Sequence, residues 1–401
     1  LAAALFGVLR RYYDPVPWKS SLAFGIAVAA LLGPVLFRGQ VLLPLDELRG
    51  EVPFRQLPPT NPHGNLIQGD LIQLVAPSQA AVRHAFERGH WPLWNDRVGA
   101  GMPLLADPQA QALQPLTLLA LPFPLPEAAG VTAALRVLWA LVFTFLFLRR
   151  LGLGEGPALA GAFAFGLGGF SILWLGWPMA NSAAWFPAVL YGVARLSQEK
   201  GKRDFGLLVV TLFGLLTGGH PETIAYALAA AVLFALTIHT RLKAAALVLF
   251  LAFGLAAPAL LPALDLLQRS ARAHRVSAGG EHSSVFRGGA EGALARAVPL
   301  FAPNAFGNSR FVDYWGPSNT NEDAGGFVGT ATLLLALAGF SIFSTRKAMR
   351  GERWLFVISG VALAAAVLFG FQRLFLISSF GLACWAAFAL ERRAEIRKKT
   401  V

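Results

Sequence analysis

Long apolar runs separated by short basic clusters make up most of this chain. Runs with few or no charges cover residues 21–37, 130–148, 157–175, 182–196, 205–218, 223–240, 244–266, 326–345, 354–371 and 374–390. A bilayer core takes about 20 apolar residues per helix and tolerates shorter spans whose ends snorkel. The pattern therefore predicts about ten transmembrane helices, with 182–196 and 205–218 the shortest. The apolar stretch Leu113 to Pro126 contains Pro115, Pro122, Pro124 and Pro126. Each proline removes a backbone donor and crowds the preceding turn, so this stretch predicts an interfacial or partly inserted helix rather than an eleventh span. After Asp70 the period changes. Apolar residues at 71, 74, 75, 82, 85 and 86 fit an amphipathic helix lying on the membrane surface, kinked near Pro77 and ended by Gly89.

Charge gives this layout a direction. With the N-terminus inside, the inner segments hold 20 of the 34 basic residues and 7 of the 22 acidic ones, and every lysine falls there. That bias is what the positive-inside rule demands. It predicts an all-α polytopic bundle with both termini cytoplasmic: an inner N-terminus (1–20), a membrane domain (21–390) and a basic inner tail (391–401). Two long loops, 38–129 and 267–325, lie outside. Composition agrees. The 401 residues are 55% hydrophobic and 14% charged with a mean hydropathy of +0.55, whereas soluble domains carry about a quarter charged residues. The net charge of +12 sits in the inner loops, where a membrane protein needs it, and so does not mark a nucleic-acid partner. The single cysteine, Cys384, excludes a disulfide framework within the chain. The first apolar run follows Arg10, Arg11 and Lys19 in the manner of a signal peptide, but no small-x-small cleavage site follows it, so it reads as an uncleaved span.

Candidate chemistry lies in the outer loops and at helix ends. Asp70, ahead of the amphipathic helix, reads as its N-cap. Asp46 with Glu47 reads as an exposed turn, or as a base or metal-ligand pair. Asp96 and Asp107 sit in Pro- and Gly-rich turns, where Asp commonly bonds its own backbone; substrate contact is the other reading. His220 and Glu222 flank Pro221 at an outer helix boundary. They either bind an acceptor and orient Asp70 or form a polar turn, with Glu222 complementing the helix dipole. Arg136 interrupts an apolar span in its outer half, and an arginine within the membrane is a functional hypothesis by default; it either meets a lipid phosphate or snorkels. Arg269, Arg272 and Arg275 follow a span end at every third residue. They share a helical face if the helix continues, suiting either phosphate contact or a lipid-headgroup surface. Glycines 279, 280, 288, 289 and 292 suggest a loop able to order over a ligand. No Asp-x-Asp pair or histidine cluster is present, so a metal site has little support.

The stretch Gly69-Asp70, the amphipathic helix, Trp91-Pro92-Leu93-Trp94-Asn95, Gly101-Met102-Pro103-Leu104-Leu105-Ala106-Asp107-Pro108-Gln109 and Gln114-Pro115-Leu116 resembles the bacterial YfhO-like membrane proteins. These belong to the GT-C superfamily of polyprenyl-phosphate-sugar-dependent glycosyltransferases. The turn Gly218-Gly219-His220-Pro221-Glu222-Thr223 and the stretch Gly326-Phe327-Val328-Gly329 are similar too. The resemblance implies a GT-C-like bundle in the bacterial cytoplasmic membrane and an inverting transfer of sugar from a polyprenyl-phosphate donor to a cell-envelope glycan or lipid. It implies no cofactor, leaves a divalent metal open, and makes Asp70 the general base, with arginines at the leaving phosphate. Family members run longer and carry a further strand-rich outer part, so this chain reads as a fragment, a frameshifted product or a short variant. A transporter or lipid flippase, and a non-catalytic envelope-assembly protein, are the competing readings. Transporters place ionisable groups near the midplane of broken helices, whereas the central parts of the spans here are nearly free of acids and the polar density lies in the outer loops.

Overall fold

The computed structural model describes residues 1–50, 52, 68–199, 201–269, 289–308, 313–343 and 350–400. Each of the ten apolar runs overlaps a helix among the described residues. Helix α1 (Ala2–Tyr12) precedes α2 (Trp18–Phe37). The first long connecting segment holds α3 (Ala76–Glu87), the antiparallel pair β1 (Trp94–Asn95) and β2 (Met102–Pro103), and the short α4 (Pro115–Leu118). Next come α5 (Leu125–Arg150), α6 (Glu155–Gly166), α7 (Gly169–Leu173), α8 (Ala180–Gln198), α9 (Lys202–Leu216), α10 (Pro221–Thr237) and α11 (Leu242–Gln268). The second connecting segment holds α12 (Gly289–Ala297) and α13 (Thr320–Asp323), and α14 (Thr330–Phe343), α15 (Arg350–Phe369) and α16 (Phe375–Thr400) close the bundle. Among the described residues, five helices, Trp18–Phe37, Leu125–Arg150, Leu242–Gln268, Gly351–Phe369 and Gln372–Ala394, are long and apolar enough to cross a membrane.

The bundle has a clear centre. The apolar parts of α5 and α16 are 78% buried, against 22% for α2 and 17% for α11, which sit at the rim. Helix α8 is buried on every face from Ala180 to Leu196, the mark of a helix enclosed by others. Phe380 of α16 shows how the centre is made. Its ring meets Phe147 of α5 at 5.7 Å, Phe165 of α6 at 5.0 Å and Phe186 of α8 at 5.1 Å. Lipid is as apolar as phenylalanine, so in a bilayer such contacts stabilise through packing rather than through release from water.

One expected span is broken. The run 157–175 forms α6 and α7 with an interruption at Leu167–Gly168. The physical reason is a long-range bond: the Gly169 N–H donates to Phe327 O at 2.7 Å instead of to the preceding helical turn. A side chain at Gly169 would put its Cβ 2.5 Å from Ala324 O and 2.7 Å from Phe327 O, so only glycine admits this approach.

An ionic clasp ties the helix ends where α5 stops. Asp14, between α1 and α2, accepts bonds from Arg150 Nε (2.6 Å) and Nη2 (2.5 Å), Tyr191 Oη (2.6 Å) and Arg195 Nη1 (2.9 Å). Arg195 also donates to Asp204 at 2.6 Å, and Arg150 to Glu199 at 2.6 Å. Burial alone would raise the Asp14 carboxyl. The hydrogen bonds from Arg150 and Tyr191 and the charges of Arg150 and Arg195 outweigh it and hold the group below its ordinary range. A depressed carboxyl stabilises the fold above its unfolded value, and that stabilisation is lost as pH falls through the folded value. Asp14→Asn should therefore cost about 1–3 kcal/mol at neutral pH. The gap to the native chain should close below about pH 4, as read by thermal unfolding in detergent; a gap unchanged in acid would contradict the assignment.

Candidate functional site

At the opposite end, where α5 starts, the first connecting segment folds back into the bundle. Its proline-rich part is capped from within. Asp107 Oδ1 accepts the Gln109 N–H at 2.9 Å, and Gln114 Oε1 accepts those of Leu116 (2.6 Å) and Thr117 (3.1 Å). These caps satisfy backbone groups that prolines and a buried loop would otherwise orphan, so Gln111, Gln114 and Leu116 reach nearly complete burial. The predicted interfacial or partly inserted helix is thus a single short turn, α4, carried by a folded-in loop.

This loop meets Arg136. The guanidinium is 4% exposed and donates from Nε to Asn181 Oδ1 (2.8 Å), from Nη1 to Leu175 O (2.8 Å) and from Nη2 to Gln111 Oε1 (2.7 Å). Gln111 holds a left-handed backbone (φ 54°) and its Oε1 also receives Asn181 Nδ2 (2.8 Å) and Thr117 Oγ1 (3.1 Å). Asn181 reaches on to Gly218 O at 3.0 Å. Arg136 is enclosed within the bundle. It lies roughly 16 Å along α5 at 1.5 Å per residue, and its three bonded partners are neutral. Of the five guanidinium N–H groups, two have no partner among the described residues.

A second polar group stands at the same end. His220 is the N-cap of α10, its Nδ1 accepting the Thr223 N–H at 3.3 Å, and Thr223 Oγ1 lies 2.9 Å from Ser182 Oγ, beside Asn181. His220 Nε2 contacts Arg373, in the turn joining α15 to α16. Arg373 pairs with Glu222 at 3.3 Å and Glu322 at 3.1 Å, while Tyr226 Oη and Ser318 Oγ donate to those two carboxylates. Next to Glu322, Asp323 is 1% exposed and accepts from Tyr314 Oη, Gln372 Nε2 and the Ser318 N–H. Burial raises the Asp323 carboxyl; its hydrogen bonds offset part of this and the Glu322 charge adds to it. Burial, with the Asp323 contact, likewise raises Tyr314.

The remaining predicted residues are scattered around this end. Asp70 is exposed, and its side chain makes no cap bond. It adopts helical angles (φ −58°, ψ −27°) ahead of a π-helical turn, Leu71–Val75. That wide turn lies where the kink is expected, immediately before Ala76-Pro77, and accommodates the proline's missing donor and ring. Leu71, Ile72 and Val75 are buried, with Leu71 against Gly176. The helix ends at Glu87, and Gly89 takes φ +72° as the sequence suggested. Asp46, half-buried, lies in the 3-10 turn Leu45–Gly50, which packs on the π-helical turn. Burial, together with the Asp46 charge, raises the Glu47 carboxyl. Asp107 serves as a cap, and its carboxyl is raised by burial against the pull of its Gln109 and Ser78 bonds. Asp96 is exposed; Asn95, not Asp96, accepts the turn N–H of Arg97, at 3.1 Å. Arg269 is the C-cap of α11 and pairs with Asp265, one turn back, on an open surface. Arg272, Arg275 and glycines 279, 280 and 288 lie outside the described residues.

The structure thus sets Arg136 in one polar group and His220 with Glu222 in a second, the two meeting at the adjacent residues Asn181 and Ser182, and leaves Asp70, Asp96 and Arg269 outside both. Sequence reasoning missed Gln111, Asn181, Glu322, Asp323 and Arg373 as members. Part of their signal was present: Asn319-Thr320-Asn321-Glu322-Asp323 is a five-residue polar block before Gly325-Gly326. Among the described residues, no three His, Cys, Asp or Glu side chains are placed to hold a metal ion. No protein-family model matches the chain, and no curated protein matches it.

Proposed function

We propose that this protein is a membrane glycosyltransferase of GT-C type. It would move a sugar from a polyprenyl-phosphate donor to a cell-envelope glycan or lipid on the outer face of the bacterial cytoplasmic membrane. The observation that carries the reading is Arg136. A cation this deep, bonded only to neutral groups and with two N–H donors uncommitted, is costly unless an anion completes it. Asp70 is the general base. Its exposure, and the lack of a side-chain bond to it among the described residues, suit a carboxylate that must take a proton from a hydroxyl. The half-exposed Glu222, Glu322 and Arg373 offer acceptor hydroxyls paired donors and acceptors at the same end.

All ten helical runs cross the bilayer in this reading, with the Arg136 end outside. Single cysteines at residues 60 and 300 should then label from outside intact cells, and those at 200 and 395 should not; outside labelling at 200 or 395 would overturn the topology. The function itself is tested by supplying purified protein in nanodiscs with a polyprenyl-phosphate sugar and measuring transfer or hydrolysis.

One observation favours a second reading. The helix interrupted at Leu167–Gly168 is of the discontinuous kind from which transporters build their binding sites. Flipping of a labelled polyprenyl phosphate in proteoliposomes, without loss of its sugar, would select that alternative.

A further inference from the structure

The short hairpin after α3 carries large apolar side chains that no described part of the fold covers. Trp91, Leu93 and Trp94 are 65%, 60% and 57% exposed, and Val98 and Met102 are exposed beside them. A soluble monomer seldom concentrates such residues in one short stretch, and where they gather they mark a contact surface. Nor is the hairpin a loose end. Trp94 pairs with Pro103 and Asn95 with Met102, and Leu104 N–H bonds Leu93 O at 2.9 Å. Gly101, at φ +101°, lets the backbone lie against the Trp94 indole, where an added Cβ would stand 2.4 Å from Nε1. Phe86 of α3 meets Trp91 edge-on at 6.4 Å, so the hairpin and the helix are packed together.

Position identifies what covers the hairpin. Gln79, Val82 and Arg83 of α3 line the same small cavity as Leu125, Ala128 and Thr132 from the first turns of α5, and Arg83 donates to Leu121 O. The helix to which the hairpin is packed therefore lies against the first turns of a 26-residue apolar helix, the end that meets the headgroup layer when such a helix spans a bilayer. Indole rings concentrate in that layer because they pair an apolar body with an N–H donor. Arg88, His90 and Arg97 are exposed and offer donors to lipid phosphates, while exposed Glu87 and Asp96 keep the local charge near balance. A bilayer surface fits this mixture better than a polyanion does. A soluble glycan fits less well, because Asn95 is buried and few amide or carboxylate groups converge near the indoles.

We propose that the hairpin, residues 91–103, is a wedge seated in the lipid headgroup layer beside the N-terminal end of α5. Through Phe86 and Trp91 it holds α3 at a fixed depth, and with α3 the Asp70 turn at the helix's other end. The inference rests on α5 as a membrane span and not on any transfer chemistry.

The test uses the full chain, whose own Cys384 is buried. Trp94→Cys and, separately, Trp91→Cys are labelled with an environment-sensitive fluorophore and placed in phosphatidylcholine nanodiscs with or without brominated acyl chains. Brominated lipid should remove most of the emission at both positions, and aqueous iodide should remove little. Gly101→Ala, by pushing the indole face off the backbone, should restore emission from the label at 91. Iodide quenching with no response to brominated lipid, at both positions, would overturn the proposal. So would protection from iodide by added glycan in protein held in detergent.

Discussion

Asp70→Asn should lower sugar transfer by about 10²–10⁴-fold, the usual cost of losing a general base, while folding and insertion stay unchanged. The two halves of that expectation come from different observations. Asn keeps the size of Asp but cannot take a proton at neutral pH. On the stability side, the Asp70 side chain is exposed and makes no cap bond, so the usual cost of losing a cap, about 0.5–2 kcal/mol, does not arise. A surface change of this kind stays within about 0.5 kcal/mol. Transfer measured in nanodiscs beside thermal unfolding separates the two. Near-normal turnover in the variant would sink the assignment and pass the role to Asp46, on the turn that packs beside it.

Arg136→Met should abolish capture of a phosphate-bearing lipid while changing stability by no more than about 2 kcal/mol. Methionine orphans Asn181 Oδ1 and Leu175 O, at roughly 1–3 kcal/mol each. Against this, it removes a buried guanidinium with no described carboxylate partner, whose desolvation costs several kcal/mol. The opposing amounts are similar, so the fold should survive. Binding should not: each 1.4 kcal/mol of lost charge-assisted bonding weakens affinity about tenfold, and 2–5 kcal/mol is typical for a desolvated charge. The measurement is lipid-phosphate affinity in detergent beside the unfolding temperature. Unchanged affinity would make Arg136 a brace for the folded-in loop and nothing more.

How much was legible in the sequence differs between fold and site. Helices were visible because a long apolar run, whatever its partners, can satisfy its backbone in lipid only by coiling. The amphipathic helix with its kink at Pro77 and stop at Gly89 was readable for the same local reasons. The site was only half visible. Arg136, His220 and Glu222 stood out as charge or a helix boundary in an apolar setting. Gln111 and Asn181 did not, because an amide becomes informative only when folding removes it from water. The convergence of Gln111 Oε1 on donors from Thr117, Arg136 and Asn181 belongs to no single stretch of chain. Arg373 was hidden likewise, since its partners Glu222 and Glu322 come from distant segments.

The interruption between α6 and α7 has a consequence in time. The bond that draws Gly169 out of its helix comes from Phe327, and a growing chain makes residue 169 long before residue 327. Until Phe327 is synthesised, the Gly169 N–H lacks that acceptor, and the carbonyl one turn back is the partner a helix offers it. The nascent segment 157–175 is then best satisfied as one unbroken helix, the form its sequence prescribes, and late synthesis converts it. A chain stopped before residue 300 should show slow hydrogen exchange at Gly169 through a local helical bond. Rapid exchange there would mean that the interruption exists from the start.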